Sequence, residues 1–279
     1  MRRRLPWALL VLLVLAQIGY PLTTGSVRAG LTMATVAVGF VLSVTHALLS
    51  RGQRPAAVLV AVTTGGGLAV EACGVATGFP FGGYDYAGTL GPKLLGVPLV
   101  IPLAWTWMAW PAWLVAVRLT GAVPSGVRIA ARVLLAGLAL ACWDLFLDPQ
   151  MVADGHWIWQ DTVPVLPGVP GVPVGNYLGW LGVAVVMMAT LQLAAGPAIR
   201  RPVHRSARGP GPDDAPMYAL YLWTYLASVL VHGVFLGLGA SAGWGALGMG
   251  LVAVPLTVTL LRGHRRGRQP GPRHGREAG

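Results

Sequence analysis

Nine carboxylate side chains occur in this chain, and six of them, Glu71, Asp85, Asp144, Asp148, Asp154 and Asp161, fall in two short stretches. Glu71 and Asp144 lie inside apolar runs with no cation adjacent in the sequence. A carboxyl at that depth can carry a proton as a neutral acid into an apolar medium, or it can simply bond one helix to another. Asp148 follows Asp144 by four residues, a step that places both groups on one helical face. The surroundings favour chemistry over glue. Glu71 runs into Thr77-Gly-Phe-Pro-Phe81-Gly-Gly-Tyr84-Asp85-Tyr86 and then Leu90-Gly-Pro-Lys93-Leu-Leu-Gly-Val-Pro98, far richer in glycine, proline and aromatic rings than a plain connector needs. It reads as a re-entrant or capping loop. An interfacial aromatic belt accounts for Trp110 and Trp113 but poorly for Tyr84-Asp85-Tyr86. Trp143, Trp157, Asn176, Tyr177 and Trp180 bring more rings and an amide, and prolines 164, 167, 170 and 173 stiffen the segment between them. Three polar and aromatic segments thus converge on one face.

The elements that must position these groups are membrane helices. Apolar runs near 6–22, 29–49, 56–77, 96–117, 129–147, 177–198, 216–239 and 244–261 each approach the ~20 residues needed to cross a hydrocarbon core. The fold expected is all-α, a polytopic integral membrane protein of about eight transmembrane helices, with mean hydropathy +0.65 and only 10% charged residues. Met1–Tyr20 reads as the first span rather than a signal peptide, because no convincing small-residue cleavage site follows. With Arg2, Arg3 and Arg4 inside, the alternation of spans puts 18 of the 20 basic residues on that side and only Arg28 and Lys93 outside. Both termini are therefore expected in the cytoplasm. Residues 1–262 read as one helical bundle in the cell membrane, residues 263–279 as a disordered basic tail, and 200–214 as a mobile loop. The net charge of +11 sits beside spans and at the tail, where it orients the protein and meets anionic membrane lipids; no nucleic acid partner is expected, since no binding motif accompanies it. Cys73 and Cys142 have no metal-ligand spacing and read as small apolar residues, while His46 and His232 read as interhelical hydrogen-bonding groups.

Four segments resemble the membrane carotenoid hydratases. They are Glu71-x-x-Gly74-x-x-Thr77-Gly78-x-Pro80-Phe81-Gly82-x-Tyr84-x-Tyr86, Leu90-Gly91-x-x-Leu94-x-Gly96-Val97-Pro98-x-x-x-Pro102-x-x-Trp105, Asp144-x-x-x-Asp148-Pro149, and Pro173-x-x-Asn176-Tyr177-x-Gly179-Trp180. The resemblance covers residues 70 to 180 by motif and the rest by hydropathy. It implies addition of water to the terminal isopropylidene double bond of an acyclic or monocyclic carotenoid, of the lycopene, gamma-carotene or bisanhydrobacterioruberin type, to give a tertiary alcohol. Protonating such an alkene creates a tertiary cation, which requires a desolvated acid, cation-tolerant rings and a positioned water, and no metal or redox cofactor. On that reading Glu71, Asp144 and Asp148 are the catalytic candidates, with Glu71 and Asp144 preferred for depth. The substrate candidates are Thr77, Phe81, Tyr84, Asp85, Tyr86, Trp105, Trp143, Trp157, Asn176, Tyr177 and Trp180. Two other classes compete. Asp144-x-x-x-Asp148 resembles half of a prenyltransferase magnesium site, but Lys93 alone would meet the phosphates. A lipid transporter or binding protein would show inverted repeats or paired broken helices, and none is visible.

Overall fold

The computed structural model describes residues 3–199 and 213–267. Eight stretches are long and apolar enough to cross a membrane, at 5–22, 25–51, 53–77, 100–122, 125–153, 174–195, 215–235 and 239–263. They match the eight apolar runs. The first two spans are α1 (Leu5–Gly19) and α2 (Gly25–Arg51). The third joins α3 (Gln53–Val60) to α4 (Gly66–Thr77) through a π-helical turn at Ala61–Gly65. After α5 (Val100–Leu119), the fifth span breaks into α6 (Ser125–Ala141) and α7 (Asp144–Ala153). The last three spans are α8 (Val174–Ala195), α9 (Ala215–Leu230) and α10 (Gly239–Gly267). The basic tail expected from residue 263 thus begins as helix; residues 268–279 and most of the expected loop, 200–212, lie outside the described residues.

Helix α5 is the axis. Its most apolar window is 78% buried, against 22% for the first and seventh spans, because it is flanked by α2, α4, α6 and α9 together. Hence its sequence is apolar all round, with no charge before Arg118. Two prolines sit inside helices near the site, and each removes the N–H that would bond the carbonyl four residues earlier. Pro111 frees the Trp107 carbonyl, and Ser43 Oγ of α2 donates to it at 2.8 Å. Pro149 frees the Leu145 carbonyl, and Ser241 Oγ of α10 donates to it at 2.7 Å. In hydrocarbon an unpaired carbonyl costs several kcal/mol, so these hydroxyls fix α5 to α2 and α7 to α10.

The connectors at one end of the bundle form the cap. Strand β1 (Tyr84–Tyr86) pairs antiparallel with β4 (Trp157–Trp159) in the register Tyr84 to Trp159, Asp85 to Ile158, Tyr86 to Trp157. Between them β2 (Lys93–Leu94) and β3 (Val97–Pro98) make a short hairpin. Arg28 and Lys93 belong to this end: Arg28 Nη1 meets Asp154 at 2.9 Å, and Lys93 Nζ donates to the Tyr86 carbonyl at 2.5 Å. At the opposite end Arg51 grips Asp214 with two 2.8 Å bonds, while Trp110 donates to His46 Nδ1 at 3.0 Å. His46 Nε2 then carries the ring proton and donates to the Asp213 carbonyl at 2.8 Å. The end of the 200–214 segment is thereby pinned to α2.

Candidate active site

Backbone alternation builds the site's roof. Side chains along a strand point to opposite faces in turn, so the ribbon sends Tyr84, Tyr86, Trp157 and Trp159 inward and leaves Asp85 and Ile158 exposed. Under this roof lies a cavity whose walls come from α1, α2, α4, α5, α7, α8 and α9.

Glu71 enters from α4 and is 4% exposed. Tyr84 and Tyr86 donate to its Oε2 at 2.6 and 2.8 Å, and Trp105 Nε1 donates to Oε1 at 3.0 Å. Burial and the adjacent Glu71 raise the ionisation of both tyrosines well above the ordinary range, so their hydroxyls keep their protons and can donate. Close approach of Tyr84 depends on Gly74, one turn after Glu71. A Cβ there would stand 2.8 Å from the Tyr84 hydroxyl.

The second carboxyl group stands on α7. The helical break at Cys142–Trp143 restarts the helix at Asp144, one turn before Asp148. Asn176, in the first turn of α8, spans the pair: its Nδ2 donates to Asp144 Oδ2 at 2.9 Å and also to Asp148 Oδ2. Asp148 lines the cavity, whereas Asp144 lies behind it, 0% exposed, with its Oδ1 lacking a partner among the described residues.

Four indoles join these groups into one wall. Trp105 stacks on Trp180 with centroids 4.0 Å apart, Trp180 meets Trp143 edge-on at 6.4 Å, and Trp143 meets Trp107 at 5.4 Å. Such π-faces attract a cation placed over them.

Of the residues singled out in the sequence, Glu71, Phe81, Tyr84, Tyr86, Trp105, Trp143, Asp148, Trp157, Asn176 and Trp180 line the cavity. Four stand elsewhere, Asp144 behind the wall as described and three more. Thr77 is exposed and closes the end of α4 by donating to the Cys73 carbonyl at 2.7 Å. Asp85 points outward and meets Gln160 at 3.2 Å. Tyr177 lies near the aspartate pair but not on the cavity wall, and its buried hydroxyl has no partner among the described residues. Depth favours Asp144 in the sequence; the fold presents Asp148. Trp107 and Trp159 also line the cavity, and the sequence motifs miss both. The two-residue spacing of Trp157 and Trp159 signals a strand, but nothing local marks Trp107.

Comparison with known proteins agrees with this architecture. No solved structure matches the chain. A bisanhydrobacterioruberin hydratase of Haloarcula japonica is 38% identical over 113 residues, which make up 40% of this chain and 36% of that protein. The family described as carotenoid biosynthesis protein matches residues 27–256, all but the first span and the C-terminal end. Since that match takes in every wall of the cavity except α1, the chain belongs to the carotenoid biosynthesis protein family.

Proposed function

We propose that this protein hydrates the terminal isopropylidene double bond of an acyclic carotenoid end group by acid catalysis, giving a tertiary alcohol. The observation that carries the reading is the placement of Asp148 and Glu71 on the wall of one largely apolar cavity whose lining includes six indoles and three phenols. A carotenoid is already dissolved in the bilayer, so only its end has to reach the polar groups.

The Asp144–Asp148 pair supplies the proton through Asp148, the member that reaches the substrate. The alkene's electron pair forms the new C–H bond at the CH carbon, and the positive charge falls on the carbon bearing two methyls, over the indole wall. A water oxygen then forms the C–O bond, and its surplus proton returns to the carboxylate left on the pair. The sum is one water added and the catalyst restored. Glu71 has four lone-pair sites, three of them occupied by Tyr84, Tyr86 and Trp105, leaving one on Oε1 to orient that water.

Expression in cells that accumulate lycopene tests the reaction: the pigments should gain one water per reacted end by mass. Unchanged pigments with the protein present would refute it. The charge partition supports a place in the cell membrane with the ribbon outside. Reporter fusions after Ser50 and Pro124 should read cytoplasm and those after Asp85 and Val163 the exterior; the reverse pattern overturns this orientation.

A further inference from the structure

The cavity wall carries three polar groups that the carboxyl chemistry leaves unused. Thr35 of α2, Trp107 of α5 and Thr224 of α9 all line it, at 8%, 4% and 2% exposure. Thr35 Oγ1 and Trp107 Nε1 have no hydrogen-bond partner among the described residues. Thr224 Oγ1 makes a weak contact with the Met108 sulfur at 4.0 Å. The Trp107 ring is held where it is by Gly39, one helical turn beyond Thr35. A Cβ at position 39 would come within 2.5 Å of three ring atoms, so the indole lies flat on α2 beside the threonine's turn. An unmatched buried N–H or hydroxyl forfeits its hydration without return, and three helices each bring a poorly matched one to the same void.

We propose that these three side chains form a second polar pole of the cavity, which binds one uncharged hydroxyl oxygen. The donor set selects that chemistry. Trp107 can only donate, while each threonine hydroxyl can donate or accept, so the complement is an oxygen with lone pairs and a hydrogen of its own. None of the three groups carries the charge that a phosphate or carboxylate would require, and a plain hydrocarbon would leave every one of them unmatched. The oxygen comes from water or from an alcohol carried by the polyene. The water source rests on the hydration reading, for which this pole is the store of co-substrate; the alcohol source makes it a specificity device for a carotenoid already hydroxylated.

The test uses the whole protein, 15N-labelled at tryptophan, in detergent micelles. The Trp107 indole N–H resonance is assigned by its loss in Trp107→Phe and is read in three states: alone, with lycopene, and with the mono-tertiary alcohol of lycopene. A filled pole places the indole proton downfield, at the position of a bonded N–H. If water is the occupant, the downfield position is present in the protein alone and shows exchange with solvent. If the polyene alcohol is the occupant, the shift appears only on adding the alcohol, which then binds about tenfold more tightly than lycopene by tryptophan fluorescence quenching. Thr35→Val should move the resonance back towards the free position, and Thr35→Ser should restore it. A free N–H in all three states, with equal affinity for both polyenes, overturns the proposal. Because neither readout requires turnover, absence of hydration by the wild-type protein would refute the reaction while leaving the pole standing.

Discussion

Asp148→Asn and Asp144→Asn separate the carboxyl on the cavity wall from the one that stands behind it. Both substitutions keep shape and volume, and both leave the Asn176 side chain in contact with position 148. An amide at position 148 cannot transfer a proton, so on the proposed mechanism the general-acid contribution should disappear; such contributions are about 10²- to 10⁴-fold, or roughly 3 to 5 kcal/mol of barrier. Asp144→Asn acts differently. The amide it introduces can accept from a protonated Asp148, so the transferable proton stays on the carboxyl that lines the cavity, where Asp144 itself has no surface. The loss is then that of one charge-assisted hydrogen bond exchanged for another, about tenfold. Initial rates of alcohol formation, measured on purified variants with thermal unfolding as the check on integrity, should rank wild type above Asp144→Asn and Asp144→Asn well above Asp148→Asn. Glu71→Gln falls between, because one of its two oxygens becomes an amide nitrogen that clashes with the N–H and O–H donors around it. If folded Asp144→Asn is as inactive as Asp148→Asn or more so, cavity exposure is the wrong criterion and the buried carboxyl is the acid.

Gly74→Ala should uncouple the roof from α4, since the added Cβ stands 2.8 Å from the Tyr84 hydroxyl and must push it off Glu71. We expect about 2 kcal/mol of lost stability from overpacking and the displaced bond; a melting curve and a rate equal to wild type would refute the contact. His156, in the connector before β4, bonds Thr89 at 2.8 Å through Nδ1, and its Nε2 has no partner among the described residues. Burial lowers its proton affinity below the ordinary value of 6.5, with Asp154 opposing in part. The unfolded chain therefore binds more protons below pH 6.5, and the contribution of this neutral histidine to stability is present above that value and lost as pH falls beneath it. Thermal midpoints taken from about pH 7.5 to about pH 5 should fall, and His156→Gln should flatten the slope; an unchanged slope would show that the decline arises elsewhere.

The helices are legible in the sequence because hydrocarbon demands ~20 apolar residues in a row and tolerates few charges. What the chain does between helices is less so. Tyr84-Asp85-Tyr86 and Trp157-Ile-Trp159 each carry the period of a strand, yet each is only three residues long and its partner lies about seventy residues away. The start of α5 at Val100, later than the apolar run near 96, follows from the pairing of Val97–Pro98 with Lys93–Leu94. That Asp144 and Asp148 share a helical face can be read from their spacing. Which one reaches the cavity depends on a break at Cys142–Trp143 that no glycine or proline announces. The tryptophan wall is harder still, since Trp105, Trp143 and Trp180 come from three separate spans whose rotation about their axes is set by packing.

The bond from Ser241 to the Leu145 carbonyl bears on how such a protein is made. The carboxyl pair lies on the fifth span, but the carbonyl exposed by Pro149 in that same helix is satisfied from the eighth. His232, from the seventh, holds the neighbouring Phe146 carbonyl at 3.0 Å. A chain emerging from its N-terminus inserts α7 long before either partner exists, with backbone groups that hydrocarbon penalises. During synthesis the half-built bundle therefore holds its acids in a helix that is not yet anchored. The helix that carries the carboxyl pair gains its full set of backbone partners only once the last described span has docked, so that α10 completes the site's support without touching the cavity.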